Sequence, residues 1–226
     1  ADFYNPDLVS VYDDLPLWSA PFGLKLLERV RIGTNLNVLD IGSGTGFPLL
    51  ELAERLGETC KVFGIDPWEE AVKRIQLKIR MKDIKNTTIL CCGAENLVFE
   101  DDYFDVIVSN NGINNVSDQI KVLSECHRVC KKNGQLIFTY NLPGTMLEFY
   151  NVFTEVLREY SDSYSEKVCE HICSKRKPIC YYEKLLAEAG FRIKNIIEDR
   201  FVYHFADGTA MLNYFFIRLC FLDSWK

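Results

Sequence analysis

The run Val38-Leu39-Asp40-Ile41-Gly42-Ser43-Gly44-Thr45-Gly46 decides how this chain is read. Further along, Val62-Phe63-Gly64-Ile65-Asp66 repeats the pattern of an apolar stretch closed by an acid. An apolar strand ending in an acid, a glycine turn, a helix and a second such strand form half of a nucleotide-binding crevice. Glycines at 42, 44 and 46 let the main chain approach a ligand closely and adopt angles that a Cβ would forbid. The helix expected from about Phe47 aims its first amides at that ligand, where a pyrophosphate or a carboxylate would suit.

Spacing separates the candidates. A dinucleotide fingerprint needs its third glycine at position 47, where this chain has Phe47, with the glycine one residue early. Asp40, just before the turn, would repel a pyrophosphate and attract an ammonium group. Together these favour an amino-acid-bearing nucleoside over NAD. Asp66 is placed to accept both ribose hydroxyls, or to cap the helix expected at 68–82, and the two roles are compatible. Pro67 starts that helix, and Trp68 offers a flat face to adenine or packs against the domain.

Outward from this centre, strands and helices alternate. A helix over 19–31, opened by Ser19 and Pro21, precedes strand 37–42. Then come helix 47–56, strand 60–66, helix 68–82, strand 87–92, strand 104–110, helix 118–131 capped by Ser117, and strand 135–141. This order predicts an α/β fold: a Rossmann-like, mostly parallel sheet with helices on both faces. After Pro143 a tyrosine-rich helical insertion is expected at about 145–160 and 163–175, followed by helix 181–189 and a sixth strand at 191–203. Residues 1–226 read as one domain, its core at about 35–142 and 181–205 and its lid at about 1–30 and 143–180.

With 226 residues, 48% of them hydrophobic, the chain can bury a sizeable core. A formal charge of −6 argues against a broad nucleic-acid footprint. Nine cysteines, odd in number and dispersed, suit a reducing cytosol better than a disulfide framework. The expectation is a cytoplasmic protein with no signal peptide and no membrane-spanning run. Cys169, Cys173 and Cys180 match no closed zinc pattern, and Cys169 and Cys173 read as one apolar helical stripe.

Five motifs in order carry a family resemblance: Asp40-Ile-Gly-Ser-Gly-Thr-Gly46, Gly64-Ile-Asp66, Gly93-Ala94-Glu95-Asn96-Leu97, Phe104-Asp105-Val-Ile-Val-Ser109-Asn110, and Arg128-Val129-Cys-Lys-Lys-Asn133-Gly134-Gln135. Over about 35–142 the chain resembles the class I S-adenosylmethionine-dependent methyltransferases, especially ubiquinone and menaquinone C-methyltransferases of the small-molecule branch. The resemblance implies S-adenosylmethionine as cofactor. It implies Asp40 and the backbone of Gly42, Ser43 and Gly44 at the methionine moiety, Asp66 at the ribose, Ala94 and Glu95 at the adenine edge, and Asn110 beneath the sulfonium. Pro67 and Trp68 complete the expected cofactor set. The acid that commonly precedes the Ala-Glu pair is Gly93 here, and the paired histidines of many relatives are Asn114-Asn115.

Asparagine orients a substrate but takes no proton near neutral pH. Catalytic candidates are therefore sparse: His171, His204 and Tyr12, with Tyr12 and Trp18 resembling lid residues. His127 reads as structural. No metal is expected, because Asn110-Asn111 offer no carboxylate. The function read from these residues is methyl transfer to a small-molecule acceptor by in-line displacement, with no nucleic-acid or membrane partner; the oligomeric state is unknown. The alternative is a silent S-adenosylmethionine-binding module acting through a partner, and an NAD-dependent oxidoreductase stands third. At the far end, a helix is expected at about 208–222 in place of a seventh strand, on the expectation that the polypeptide continues past Lys226.

Overall fold

In the computed structural model, which describes residues 6–13 and 16–220, the decisive run folds as β1 (Asn37–Ile41). Four of its five residues are buried, as expected of a strand covered on both faces. β2 (Lys61–Asp66), β3 (Thr87–Cys91), β4 (Phe104–Asn110) and β5 (Cys130–Thr139) join it. All four pairings are parallel, in the order β3-β2-β1-β4-β5. The order reverses between β1 and β4, which opens a crevice outside the carboxyl ends of those strands.

Side chains alternate across the sheet and feed two cores. Val38, Val62, Val106 and Val108 face one layer with α2 (Pro16–Leu27), α3 (Leu49–Leu56) and α4 (Glu69–Met81). Leu39, Ile41 and Ile107 face the other with α5 (Gln119–Val129) and α8 (Ile179–Glu188). Each such side chain, fully buried, contributes roughly 1.5–3 kcal/mol. α1 (Pro6–Tyr12) packs on α4. α6 (Leu147–Arg158) and α7 (Asp162–Lys175) pair with each other after β5. Among the described residues no helix is long and apolar enough to cross a membrane.

Four expectations need correction. The helix expected over 19–31 runs instead over Pro16–Leu27, so Ser19 and Pro21 lie inside α2 and do not open it. The run 191–203 has no regular secondary structure, is mostly exposed and forms no strand. A strand needs a partner ladder, and among the described residues β5 pairs only with β4. The cap of α5 is Asp118, whose Oδ1 accepts from the Lys121 amide at 3.0 Å, and not Ser117. Ser117 instead donates its hydroxyl to Glu95 at 2.9 Å. Cys169 and Cys173 are exposed on α7, so their stripe is not a buried one. The end of the described chain is helical, as α9 (Gly208–Asn213) and α10 (Phe215–Cys220) with a break at Tyr214.

Candidate functional site

The turn after β1 is pinned from below. The Gly42 and Ser43 amides both donate to the Ile65 carbonyl, at 2.9 and 3.1 Å, which locks the turn to the end of β2. Gly42 has φ +75°, and a Cβ there would lie 2.7 Å from Gly112 Cα, so only glycine fits. Gly44, at φ +52°, differs: a Cβ would meet nothing within 4 Å. One glycine is required by the fold and the other borders open space.

Asp40 lies under this turn at 0% exposure, and neither of its carboxylate oxygens has a donor in good hydrogen-bond geometry, although the Ser43 hydroxyl and the Leu49 amide lie nearby. The Ser43 hydroxyl donates to the Asp40 main-chain carbonyl at 3.2 Å rather than to the carboxylate. Burial, opposed by the nearby Ser43 hydroxyl and Leu49 amide and reinforced by the charge of Asp66, pushes the Asp40 carboxyl up to about 7. Asp66 is better served, accepting from the Gly44 amide through Oδ2 and from the Trp68 amide through Oδ1, each at 2.8 Å. Burial still raises its pKa, against the pull of those two amides. The capping role expected of Asp66 is thus present, and each oxygen keeps a lone pair for a further donor.

Of the residues expected at the site, Tyr12, Gly42, Ser43, Gly44 and Asn110 line one cavity of about 90 Å³. Asp13, Ser19, Thr45 and Phe47 line it too and were not anticipated. Asn110 is nearly buried; its amide donates to the Ser19 carbonyl at 3.1 Å and accepts from Thr139 Oγ1 at 2.9 Å. Tyr12 meets the Trp68 ring edge-on at 5.1 Å. Asp13 next to it pairs with Arg74 and, at 2.6 Å, with Lys78, whose ammonium also donates to the Thr45 carbonyl at 2.6 Å. Lys78 therefore ties the N-terminal segment to the glycine turn. Burial raises the Asp13 carboxyl, yet its bonds to Lys78 and Arg74 outweigh this and hold it below its ordinary value.

Other expected residues stand outside this cavity. Pro67 is exposed and Trp68 half-buried at the start of α4. Ala94 is buried in the loop after β3, whose last residue Cys91 is registered with Asp66. Glu95 accepts from Ser117, and this bond, after one from its own amide, holds its carboxyl below the usual range. His204 is exposed, just past the run 191–203. His171 lies in α7, its side chain outside the described residues. His127 packs edge-on against Phe191 at 5.3 Å, in keeping with a structural role.

A larger cavity of about 1300 Å³ lies between β5, α2, the start of α6 and the run 191–203, with Trp18, Phe22, Phe138, Tyr140, Tyr182 and Tyr203 in its wall. Trp18 belongs here rather than over the small cavity, stacked on Phe216 at 4.6 Å and Tyr203 at 5.3 Å. Among the insertion tyrosines Tyr182 lines the wall, its ring 3.8 Å from that of Tyr140, while Tyr150 is buried beside Arg176. Burial first, and then Tyr182, pushes the Tyr140 phenol up to about 12, so it is a neutral hydroxyl at ordinary pH.

Comparison with known proteins places this geometry. The family described as methyltransferase domain matches residues 32–200. A demethylmenaquinone methyltransferase of Listeria monocytogenes serotype 4b is 33% identical over 174 residues, 73% of this chain and 73% of that protein. The one of Lactococcus lactis is 28% identical over 206 residues, 84% of this chain and 78% of that protein. Among solved structures, a SAM-dependent methyltransferase from Aquifex aeolicus superposes with a TM-score of 0.63 at 22% identity, covering 86% of this chain and 92% of that one.

Proposed function

Because this chain belongs to the class I S-adenosylmethionine-dependent methyltransferases, we propose that it transfers the cofactor's methyl group to a small-molecule acceptor held at the carboxyl ends of β4 and β5. The bound cofactor supplies an electrophilic methyl on a positively charged sulfur. A bond forms between the acceptor's nucleophilic atom and that carbon while the carbon–sulfur bond breaks. Its electron pair goes to sulfur, S-adenosylhomocysteine leaves neutral at that atom, and a proton carried by the acceptor's nucleophilic atom is released to solvent.

The observation that carries the cofactor reading is Asp40, whose two buried oxygens have no donor in good hydrogen-bond geometry. An ammonium group at the glycine turn would supply the missing partner, as a methionine moiety does. Gly44 supports the same reading, since its would-be Cβ points into open space beside the turn. We assign Asp40 with Gly42, Ser43 and Gly44 to that moiety, and Asp66, already oriented by two amides, to the ribose hydroxyls. Trp68, Pro67, Ala94 and Glu95 are assigned to the adenine side, and Asn110 to the wall below the methyl.

A cavity of about 90 Å³ is far below the roughly 300 Å³ at which small-molecule pockets begin. The Tyr12–Asp13 segment, held by Lys78 and Arg74, must therefore shift as the cofactor enters. Once closed, it excludes water and holds nucleophile, methyl and sulfur in line, a service worth up to roughly 7–11 kcal/mol. The two relatives are named for a demethylated menaquinone; at 28–33% identity this supports the reaction class and leaves the acceptor to experiment. Calorimetry with S-adenosylhomocysteine, followed by labelled methyl transfer across an acceptor panel, tests the proposal. Failure of S-adenosylhomocysteine to bind would overturn it, as would binding without transfer to any acceptor.

A further inference from the structure

The cavity of about 1300 Å³ runs along the edge of the sheet and not over one of its faces. Every residue from 133 to 142 lines it, and so does every residue from 191 to 203. Side chains of a strand point to opposite faces in turn, so a pocket on one face of β5 would be lined by alternate residues. Unbroken lining means that the main chain itself borders the space. Burial agrees: Leu136, Ile137 and Phe138 are all half-buried, with no alternation, whereas Val106, Ile107 and Val108 on the neighbouring β4 are fully buried.

Two main-chain banks face this slot. Among the described residues the outer edge of β5 has no strand partner, and residues 192–202 exchange no main-chain hydrogen bond. The second bank runs in the direction of β5: it starts at Phe191, whose ring meets His127 just before the strand, and passes Arg200, which pairs with Glu148 beyond the strand's end. A strand residue in a sheet takes up about 160 Å³, from a rise of about 3.3 Å, a strand spacing of about 4.8 Å and a layer spacing of about 10 Å. The cavity therefore holds about eight such residues, close to the stretch of β5 that borders it. The longest run outside the described residues, 221–226, is too short to fill it. The ends of the slot differ in charge. Gln135 ties Arg29 and Arg31 to the amino end of β5, its Nε2 donating to the Arg29 carbonyl and its Oε1 accepting from the Arg31 amide, both at 2.9 Å. Arg192 and Lys194 follow Phe191 on the other bank. Arg31 pairs with Asp105, and Glu28 on the same wall pairs with Lys25, but Arg29, Arg192 and Lys194 meet no carboxylate among the described residues.

We propose that this slot docks one β-strand of a partner polypeptide, an apolar segment of about eight residues that runs antiparallel to both banks and ends in acidic residues beside Arg29, Arg192 and Lys194. Antiparallel pairing is the more stable kind, and because the banks run the same way a single strand is antiparallel to both. Its amides and carbonyls alternate between β5 on one side and residues 192–202 on the other. Its apolar side chains cover Ile193, Ile196, Ile197, Phe201 and Val202, which the second bank leaves exposed. None of the residues assigned to the cofactor lines the slot, so strand docking and cofactor binding are read independently.

The probe is the synthetic peptide acetyl-TVSIKVTVEE, together with two versions of it N-methylated at one or the other set of alternate amides. Affinity for the full chain is read by fluorescence anisotropy and its footprint by amide hydrogen exchange. The peptide should bind saturably and slow exchange at least roughly tenfold across 133–141 and 192–202. Each methylated version keeps every side chain but loses its donors towards one bank, and should bind roughly tenfold more weakly or worse. The double variant Arg192→Glu with Lys194→Glu, altered only at exposed positions, should bind the peptide roughly tenfold more weakly and prefer the same peptide ending in two lysines. No saturable binding, equal affinity for the methylated peptides, a double variant that binds as wild type does, or slowed exchange away from the two banks would each overturn the strand slot. So would banks whose amides are already slow in the free chain: slowing that fades on dilution assigns the slot to a second copy, and slowing that persists assigns it to residues of this chain.

Discussion

Asparagine at position 40 separates the charge of Asp40 from its shape, and the outcome depends on pH. The carboxyl titrates near 3.8 in the unfolded chain and near 7 in the folded one. The folded chain therefore holds an extra proton between those values. Its stability is full below the unfolded pKa and is lost as pH rises towards 7. At about 1.4 kcal/mol per unit, the complete loss is roughly 4 kcal/mol, of which roughly 2 kcal/mol falls between about pH 5.5 and pH 8.

Asp40→Asn mimics the protonated acid at every pH and should not show this loss. Its melting temperature without cofactor should gain on wild type by roughly 4–8 °C between about pH 5.5 and pH 8, taking 2–4 °C per kcal/mol for a chain of this size. Comparing the two proteins at each pH cancels the other titrating groups. On the proposed assignment, the same substitution removes the anion that would meet the cofactor's ammonium. S-adenosylhomocysteine should then bind roughly 10- to 150-fold more weakly, the equivalent of 1.5–3 kcal/mol for a charge-assisted bond. A chain made more stable at high pH and a worse binder is the signature of a buried charge kept for a ligand. A melting gap that does not change with pH, or an unaltered affinity in calorimetry, would refute the reasoning.

Asp66→Ala should cost the ribose bonds, roughly 1.5–3 kcal/mol each, together with the support Asp66 gives Gly44 and Trp68; calorimetry that finds S-adenosylhomocysteine bound as before would sink its assignment. Alanine at Gly44 should cost about 1–2 kcal/mol of stability for its left-handed backbone and weaken cofactor binding by tenfold or more. Alanine at Gly42, 2.7 Å from Gly112 Cα, should instead lower the melting temperature sharply, and the pairing of melts with titrations is wrong if the two variants behave alike. Asp13→Asn and Lys78→Gln should each speed release of S-adenosylhomocysteine about tenfold by breaking a partly buried ion pair worth ~1–2 kcal/mol. Stopped-flow traces of Trp68 fluorescence that overlay wild type would show that this contact does not hold the segment closed.

The elements legible in the sequence are those whose burial comes from both sides. β1, β2 and β4 are continuous apolar runs, and the structure keeps them within a residue or so of their expected ends. The run 191–203 has apolar content of the same kind, yet a strand is a property of two chains, and the outer side of β5 offers no described neighbour. The cap of α5 shows the same limit on a smaller scale. Ser117 and Asp118 are both good caps, and the choice fell to Asp118 because Glu95, from a different loop, takes the Ser117 hydroxyl.

The site divides along the same line. Asp40, Gly42, Ser43 and Gly44 act through main chain and side chain at successive positions, so their spacing alone suggests a ligand. Lys78 reaches Asp13 across 65 positions and Thr45 across 33. With 26 basic and 32 acidic residues in the chain, no pattern marks that pair in advance. The large cavity is assembled from still more distant segments: α2, the exit of β5, the start of α6 and the run 191–205. A site built on one continuous turn therefore leaves a readable motif, whereas a cavity built from four separate segments leaves none.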